Sequence, residues 1–201
     1  MKTYLDKNVY EAALERIAYC FQEFDNVLVA FSGGKDSGVM LNLCYNYADE
    51  HGLLDKLTMY HLDYEAQYQM TTEYVTRTFL EQFPGIRKMW YCVPIKAQSA
   101  CALGEPYWTP WDAAKKKLWV RAMPENPYVV HEGNLDVPFR HGMVDYEFQD
   151  KLSRHFAKKR GTTAVMVGLR ADESLNRYAA VARGKKRRSY EGRKGITQTS
   201  P

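Results

Sequence analysis

The sequence predicts an α/β fold, a doubly wound and mostly parallel sheet with helices on both faces. Three observations predict it. Short apolar runs alternate with amphipathic stretches of helical period. The first apolar run passes directly into a Gly-Gly turn that opens a helix. The chain of 201 residues is 45% hydrophobic, enough for one domain with its own core.

The elements follow in order. Asn8 to Phe24 reads as a helix, with Ala12, Ala13, Ile17, Ala18, Cys20, Phe21 and Phe24 along one side. Asn26 to Phe31 is the first strand, and the helix after it runs from about Asp36 to His51, with Gly52 as its stop. Leu57 to Asp63 is the second strand, Thr71 to Phe83 a helix that ends before Pro84-Gly85, and Lys88 to Val93 the third strand. Val144 to Arg160 is a polar helix closed by Gly161, and Thr163 to Leu169 is the fourth strand. Apolar strands alternating with helices make a parallel sheet covered on both faces. Ligands of such sheets bind at the carboxyl ends of the strands, where the strand order reverses.

Between the third strand and the polar helix lies an irregular, Pro- and aromatic-rich segment, Ile95 to Met143. A connection of that length is usually a functional insertion or lid. Its Trp and Tyr side chains serve either to glue it to the domain or to offer a substrate or partner surface. Residues 1–182 are expected to form one domain carrying the insertion 95–143, and residues 183–201 a basic, flexible end. That end holds seven basic residues against Glu191, a net +6, so the overall charge of +4 leaves the body at −2. Lys185 to Arg188 is either a contact for nucleic acid or ligand phosphate, or a solvated terminus.

The sequence has no apolar run long enough to span a bilayer and no signal-peptide core after Met1. Cys20, Cys44, Cys92 and Cys101 show no C-x-x-C spacing, and there is no Cys/His cluster for zinc. Cys20, Cys44 and Cys92 sit in apolar stretches, which reads as buried thiols in a reducing cytoplasm.

The chemistry concentrates at Ser32-Gly33-Gly34-Lys35-Asp36-Ser37. Glycines let the backbone approach a phosphate closely, and the N–H groups of the loop and first helical turn converge where the helix dipole favours an anion. Lys35 adds a mobile cation, and Ser32 and Ser37 add hydroxyl donors. Asp36 beside a phosphate calls for a divalent cation between them, hence Mg²⁺. Gly-Gly and Lys-Asp are also ordinary turn material; it is the unit of strand, SGGKDS and amphipathic helix that reads as a phosphate loop. It is not a Walker A loop, which needs G-x-x-x-x-G-K-[ST].

This loop resembles the PP-loop of the adenine nucleotide alpha hydrolase superfamily, which has a Rossmann-like fold. That group includes ATP pyrophosphatases, the ATP sulfurylase small subunit and phosphoadenosine phosphosulfate (PAPS) reductases. The resemblance implies an adenine nucleotide, ATP or PAPS, held by its terminal phosphates or its sulfate end. Chemistry would then fall at the α-phosphate or at sulfate.

A second constellation, Gly168-Leu169-Arg170-Ala171-Asp172-Glu173-Ser174-Leu175-Asn176-Arg177, follows the fourth strand. Gly168 admits a ligand near the strand end, Asp172 or Ser174 can cap the next helix, and Arg170 and Arg177 suit phosphate or sulfate. G-L-R-x-x-E-S-x-x-R resembles the corresponding motif of PAPS reductase-type proteins, which adds Glu173 and Ser174 to the binding set. Leu62-Asp63 resembles that family's L-D-T-G segment, with Tyr64-Glu65 in place of Thr-Gly, and Asp63 is expected to contact ribose or adenine. The wording L-D-Y-E-A-Q-Y, Y-W-T-P-W-D and G-L-R-A-D-E-S-L-N-R-Y is similar to PAPS reductase-like co-activators of enterobacterial prophages, IbrA-type regulators paired with a ParB-like partner protein. The E-C-G-x-H segment of true PAPS reductases and the K-x-x-P-x-x-W continuation of other relatives are absent from the sequence.

Three functions follow. The first is an ATP-binding enzyme with Mg²⁺ that cleaves or transfers at the α-phosphate. In it Lys35 and the loop amides steady the leaving pyrophosphate, Arg170 and Arg177 neutralise developing charge, and Asp36 holds the metal. The second is a nucleotide-binding regulator acting with the ParB-like protein. The third is a thiol-dependent PAPS or APS reductase, for which Cys101 is the candidate thiol.

Overall fold

The computed structural model describes residues 6–99 and 104–168, and the backbone of two further strands at 189–192 and 196–199. Four helices, α1 (Val9–Glu23), α2 (Lys35–Glu50), α3 (Gln69–Glu81) and α4 (Asp145–Arg160), flank one main sheet. Its strands are β1 (Asn26–Ala30), β2 (Leu57–Leu62), β3 (Arg87–Cys92), β6 (Val129–His131), β7 (Thr163–Met166), β8 (Ser189–Gly192) and β9 (Ile196–Thr199). They lie in the order β6-β3-β2-β1-β7-β9-β8, with only β8 antiparallel to its neighbour. The two-residue strands β4 (Ala97–Gln98) and β5 (Tyr107–Trp108) form a separate antiparallel pair inside the insertion.

Alternation along β1 decides which face each helix covers. Val27 and Val29 join one buried cluster with Ile17 and Phe21 of α1, Leu41 and Cys44 of α2, and Val75 and Phe79 of α3. Leu28 points the other way, into a cluster with Phe148, Leu152 and Phe156 of α4. The chain steps outward from β1 through β2 and β3 to β6, then crosses back by α4 to enter β7 on the far side of β1. The strand order therefore reverses at β1, and the reversal lies beside the loop that follows it.

Helix ends agree with the sequence. Asn8 and Glu11 form a reciprocal capping box at α1, and Gly161 closes α4 with its N–H on the Ala157 carbonyl. Five short strands differ from expectation. The edge strand β6 sits within the segment expected to be irregular; three half-buried or exposed residues give too short a pattern to signal a strand. The β4–β5 pair is shorter still. Finally, the stretch expected to be a flexible basic end contributes β8 and β9, with β9 parallel to β7. Tyr190, Ile196, Thr197 and Thr199 supply a β preference that outweighs the surrounding charge.

No described helix is long and apolar enough to cross a membrane.

Candidate functional site

β1 delivers its chain into the Ser32–Ser37 loop. Gly33 has φ +80°, a left-handed conformation, and a Cβ there would come within 2.7 Å of Val75 Cγ2 and 3.0 Å of Thr71 Cγ2. Glycine at 33 therefore serves both the turn and the close approach of α3. Gly34 is the N-cap of α2 and supplies no side-chain cap, so the first-turn N–H groups have no side-chain partner from it, and Lys35 beside them is exposed. That combination of uncapped amides, positive dipole end and free-swinging ammonium is suited to an anion.

The serines behave differently from expectation. Ser37 is only 7% exposed; its hydroxyl donates to the Gly34 carbonyl at 3.0 Å and accepts the Ser32 N–H at 3.1 Å. The Ser32 and Ser37 hydroxyls lie 2.9 Å apart, and Ser32 Oγ also accepts the Gly34 N–H at 3.3 Å. Both side chains brace the loop from within rather than pointing donors at a ligand. Sequence reasoning could not see this, because residue type names a donor without giving its direction.

Gly168, just past β7, meets the same loop. A Cβ on it would lie 3.3 Å from the Asp36 carbonyl and from the Ser37 nitrogen. The missing side chain makes room for the start of α2 rather than for a ligand, and it sets the segment after β7 against the phosphate loop. Arg170, Glu173, Ser174 and Arg177 lie outside the described residues, as do Asp172, Cys101 and Lys185 to Arg188.

Asp63 requires a correction. It is fully buried, and both carboxylate oxygens are occupied. Oδ1 accepts the Glu65 N–H at 2.8 Å, and Oδ2 accepts Trp90 Nε1–H at 2.7 Å. The Arg121 guanidinium reaches both oxygens through Nη2, at 2.5 and 2.7 Å. A carboxylate so enclosed has no lone pair to offer ribose or adenine; it anchors the insertion instead. Glu65, missed as a site residue, does the same from φ +63°. Its carboxylate accepts the N–H groups of Trp111 and Val120, each at 2.8 Å, and its carbonyl accepts Arg121 Nε–H at 2.9 Å. Trp111 returns a bond from Nε1–H to the Asp63 carbonyl at 2.9 Å.

The described thiols are unreactive by position. Cys20, Cys44 and Cys92 are buried thiols outside any disulfide, and burial pushes the Cys44 and Cys92 thiols far above the ordinary range, with the nearby Asp63 charge adding to the rise at Cys92. Among the described residues no group of three or more His, Cys, Asp or Glu side chains is arranged to hold a metal.

A mostly parallel sheet whose order reverses beside a glycine-rich, uncapped helix start is the arrangement of a doubly wound, Rossmann-like α/β fold. The chain belongs to the phosphoadenosine phosphosulfate reductase domain family, whose model matches residues 26–190. It is also 33% identical over 186 residues to "Uncharacterized protein YbdN" of Escherichia coli (strain K12). That match takes in 92% of this chain and 44% of the relative, so the chain spans less than half the length of that protein.

Proposed function

We propose that the protein binds an adenine nucleotide, ATP, by its terminal phosphates at the Ser32–Ser37 loop and breaks the bond between the α-phosphorus and the bridging oxygen. Water or a second substrate attacks the α-phosphorus, and pyrophosphate departs with the electron pair of the broken bond. The supporting observation is the uncapped start of α2, with Lys35 exposed beside it and the end of β7 packed against Asp36 and Ser37. In this reading Lys35 and the loop amides hold the departing pyrophosphate, and Arg170 and Arg177 steady the α-phosphate.

Mg²⁺ fits the loop in a limited way. Asp36 is the loop's one carboxylate and would hold the ion, with phosphate and water supplying the other oxygens that Mg²⁺ requires. The ion would supply charge neutralisation between the phosphates.

Thiol chemistry on PAPS finds no support among the described cysteines, all of them buried. Calorimetric titration with ATP and with PAPS, with and without Mg²⁺, tests the reading, with Lys35→Ala as control. ATP binding lost in the variant, followed by release of AMP and pyrophosphate, is the expected result. Tighter binding of PAPS would return sulfonucleotide chemistry to the front. ATP binding without turnover would favour a regulator, such as the IbrA-type co-activators with their ParB-like partner.

A further inference from the structure

The Asp63–Glu65 turn lies next to the phosphate loop. Ala30 pairs with Tyr60 in the β1–β2 register, the Phe31 N–H continues the ladder to the Tyr60 carbonyl, and His61 Nδ1 bonds the Phe31 carbonyl at 2.8 Å. β2 runs on to Asp63, whose N–H bonds the Tyr91 carbonyl at 2.9 Å. From there the chain runs through Glu65 into α3, whose Thr71 and Val75 pack against Gly33. Glu65 therefore stands between the loop and the insertion.

Its side chain is devoted to the insertion. The carboxylate, 3% exposed, takes two backbone N–H groups nine residues apart, Trp111 and Val120, and so pins both ends of the 111–120 segment to the end of β2. Trp111 is itself left-handed, at φ +54°, so two non-glycine residues in an unfavoured conformation are bonded directly to one another. Such backbone persists only where the surroundings over-determine it, and it concentrates at ligand clamps. The Arg121 guanidinium, 4.8 Å from the Trp111 ring centroid, completes the clasp.

We infer that Glu65 is a positioning residue that holds the Trp111–Arg121 segment as a wall on the β2 flank of the phosphate loop, where it contacts the part of the ligand beyond the phosphates. The inference rests on the nucleotide reading. The phosphates belong to the loop and the nucleoside end to the wall, so the two are separable by ligand.

The test compares ATP with inorganic tripolyphosphate by calorimetry in the wild type, Glu65→Gly and Glu65→Gln, together with hydrogen exchange at the Trp111 and Val120 amides. Gly keeps the left-handed backbone without strain and deletes both acceptors; Gln keeps the shape and one acceptor oxygen. We expect Glu65→Gly to weaken ATP by about tenfold or more, the scale of one lost contact, while tripolyphosphate is unchanged. Both amides should exchange faster, and Glu65→Gln should show a smaller loss of the same kind. An unchanged ratio of ATP to tripolyphosphate affinity despite faster exchange overturns the wall. Equal loss for both ligands reduces Glu65 to a purely structural role. If Glu65→Gly does not fold, the ratio in Glu65→Gln decides by the same criterion. Failure of the wild type to bind either ligand sinks the nucleotide reading itself, a result distinct from the others.

Discussion

The phosphate loop and the insertion clasp are built on opposite principles, although they sit side by side. The loop is six consecutive residues whose hydrogen bonds run among themselves, with the side chains of Thr71 and Val75 pressed against Gly33 and Lys35 exposed. The clasp joins Asp63 to Arg121 and Glu65 to Trp111, residues tens of positions apart, around two enclosed carboxylates. The loop's conformation is set largely by its own hydrogen bonds and by close packing of α3 and the end of β7. The clasp has no meaning until the chain has folded. Damage to the clasp should therefore appear first as lost stability, and damage to the loop first as lost ligand.

The largest effect belongs to Arg121→Leu. It strips the cation from a fully buried carboxylate, and removing one partner of such a pair costs about 3 kcal/mol, the low end of the range because Arg121 keeps about a fifth of its side chain exposed. Urea denaturation should show that loss in the midpoint. A loss under about 1 kcal/mol would mean that Asp63 is satisfied by Trp90 and the Glu65 N–H without its cation.

Gly33→Ala comes next and probes the loop at its one contact with α3. The left-handed φ and the 2.7 Å approach to Val75 Cγ2 together should cost about 2 kcal/mol. Adding Val75→Ala separates the two causes. If the clash dominates, ATP affinity recovers in the double variant although the core has lost two methyl groups. If φ dominates, it does not.

Lys35→Ala sharpens the contrast most directly. Lys35 is exposed and outside the loop's internal bonds, so folding stability should move by less than about 0.5 kcal/mol. ATP affinity should fall by about 2 kcal/mol, the scale of a hydrogen bond to a charged group. A comparable loss of stability would show that the ammonium is part of the fold.

The same contrast explains what the sequence could reveal. The four long helices and strands β1, β2, β3 and β7 were legible because each carries its signal within itself: an apolar side through Ala13, Ile17, Cys20 and Phe21, buried runs such as Leu57 to Leu62, a stop at Gly161. The loop was legible for the same reason. Tyr64-Glu65 stood out only as a departure from L-D-T-G, and nothing near it in the sequence points to Trp111 or Val120. Asp63 was misread because a carboxylate after a strand is equally a ligand or an anchor until its partner is known, and Arg121 lies 58 residues away. Ser32 and Ser37 were misdirected because a short hydroxyl can turn inward as readily as outward.

The smallest effect concerns His61, which joins the two regions. It is fully buried, and Nδ1–H donates to the Phe31 carbonyl at the threshold of the loop, which leaves Nε2 near Gln67 without a well-formed hydrogen bond among the described residues. Burial lowers its pKa below 6.5, and neither the nearby Asp63 charge nor the bond to Phe31 reverses the shift. A base with a lowered folded pKa is neutral in the native protein while the unfolded chain takes up a proton. Below pH 6.5 the unfolded state therefore binds more protons, and stability should fall as pH drops through that value toward the folded pKa. The slope cannot exceed about 1.4 kcal/mol per pH unit for a single site. Asp25 and Asp136, whose carboxyls are held down chiefly by hydrogen bonds from Thr162 and Lys159, act only in the more acidic window below 3.8. His61→Phe should flatten the upper window and leave the lower one in place. An unchanged slope near pH 6 would place the responsible proton elsewhere and would show that His61 takes its charge inside the fold, with Asp63 as its counter-ion.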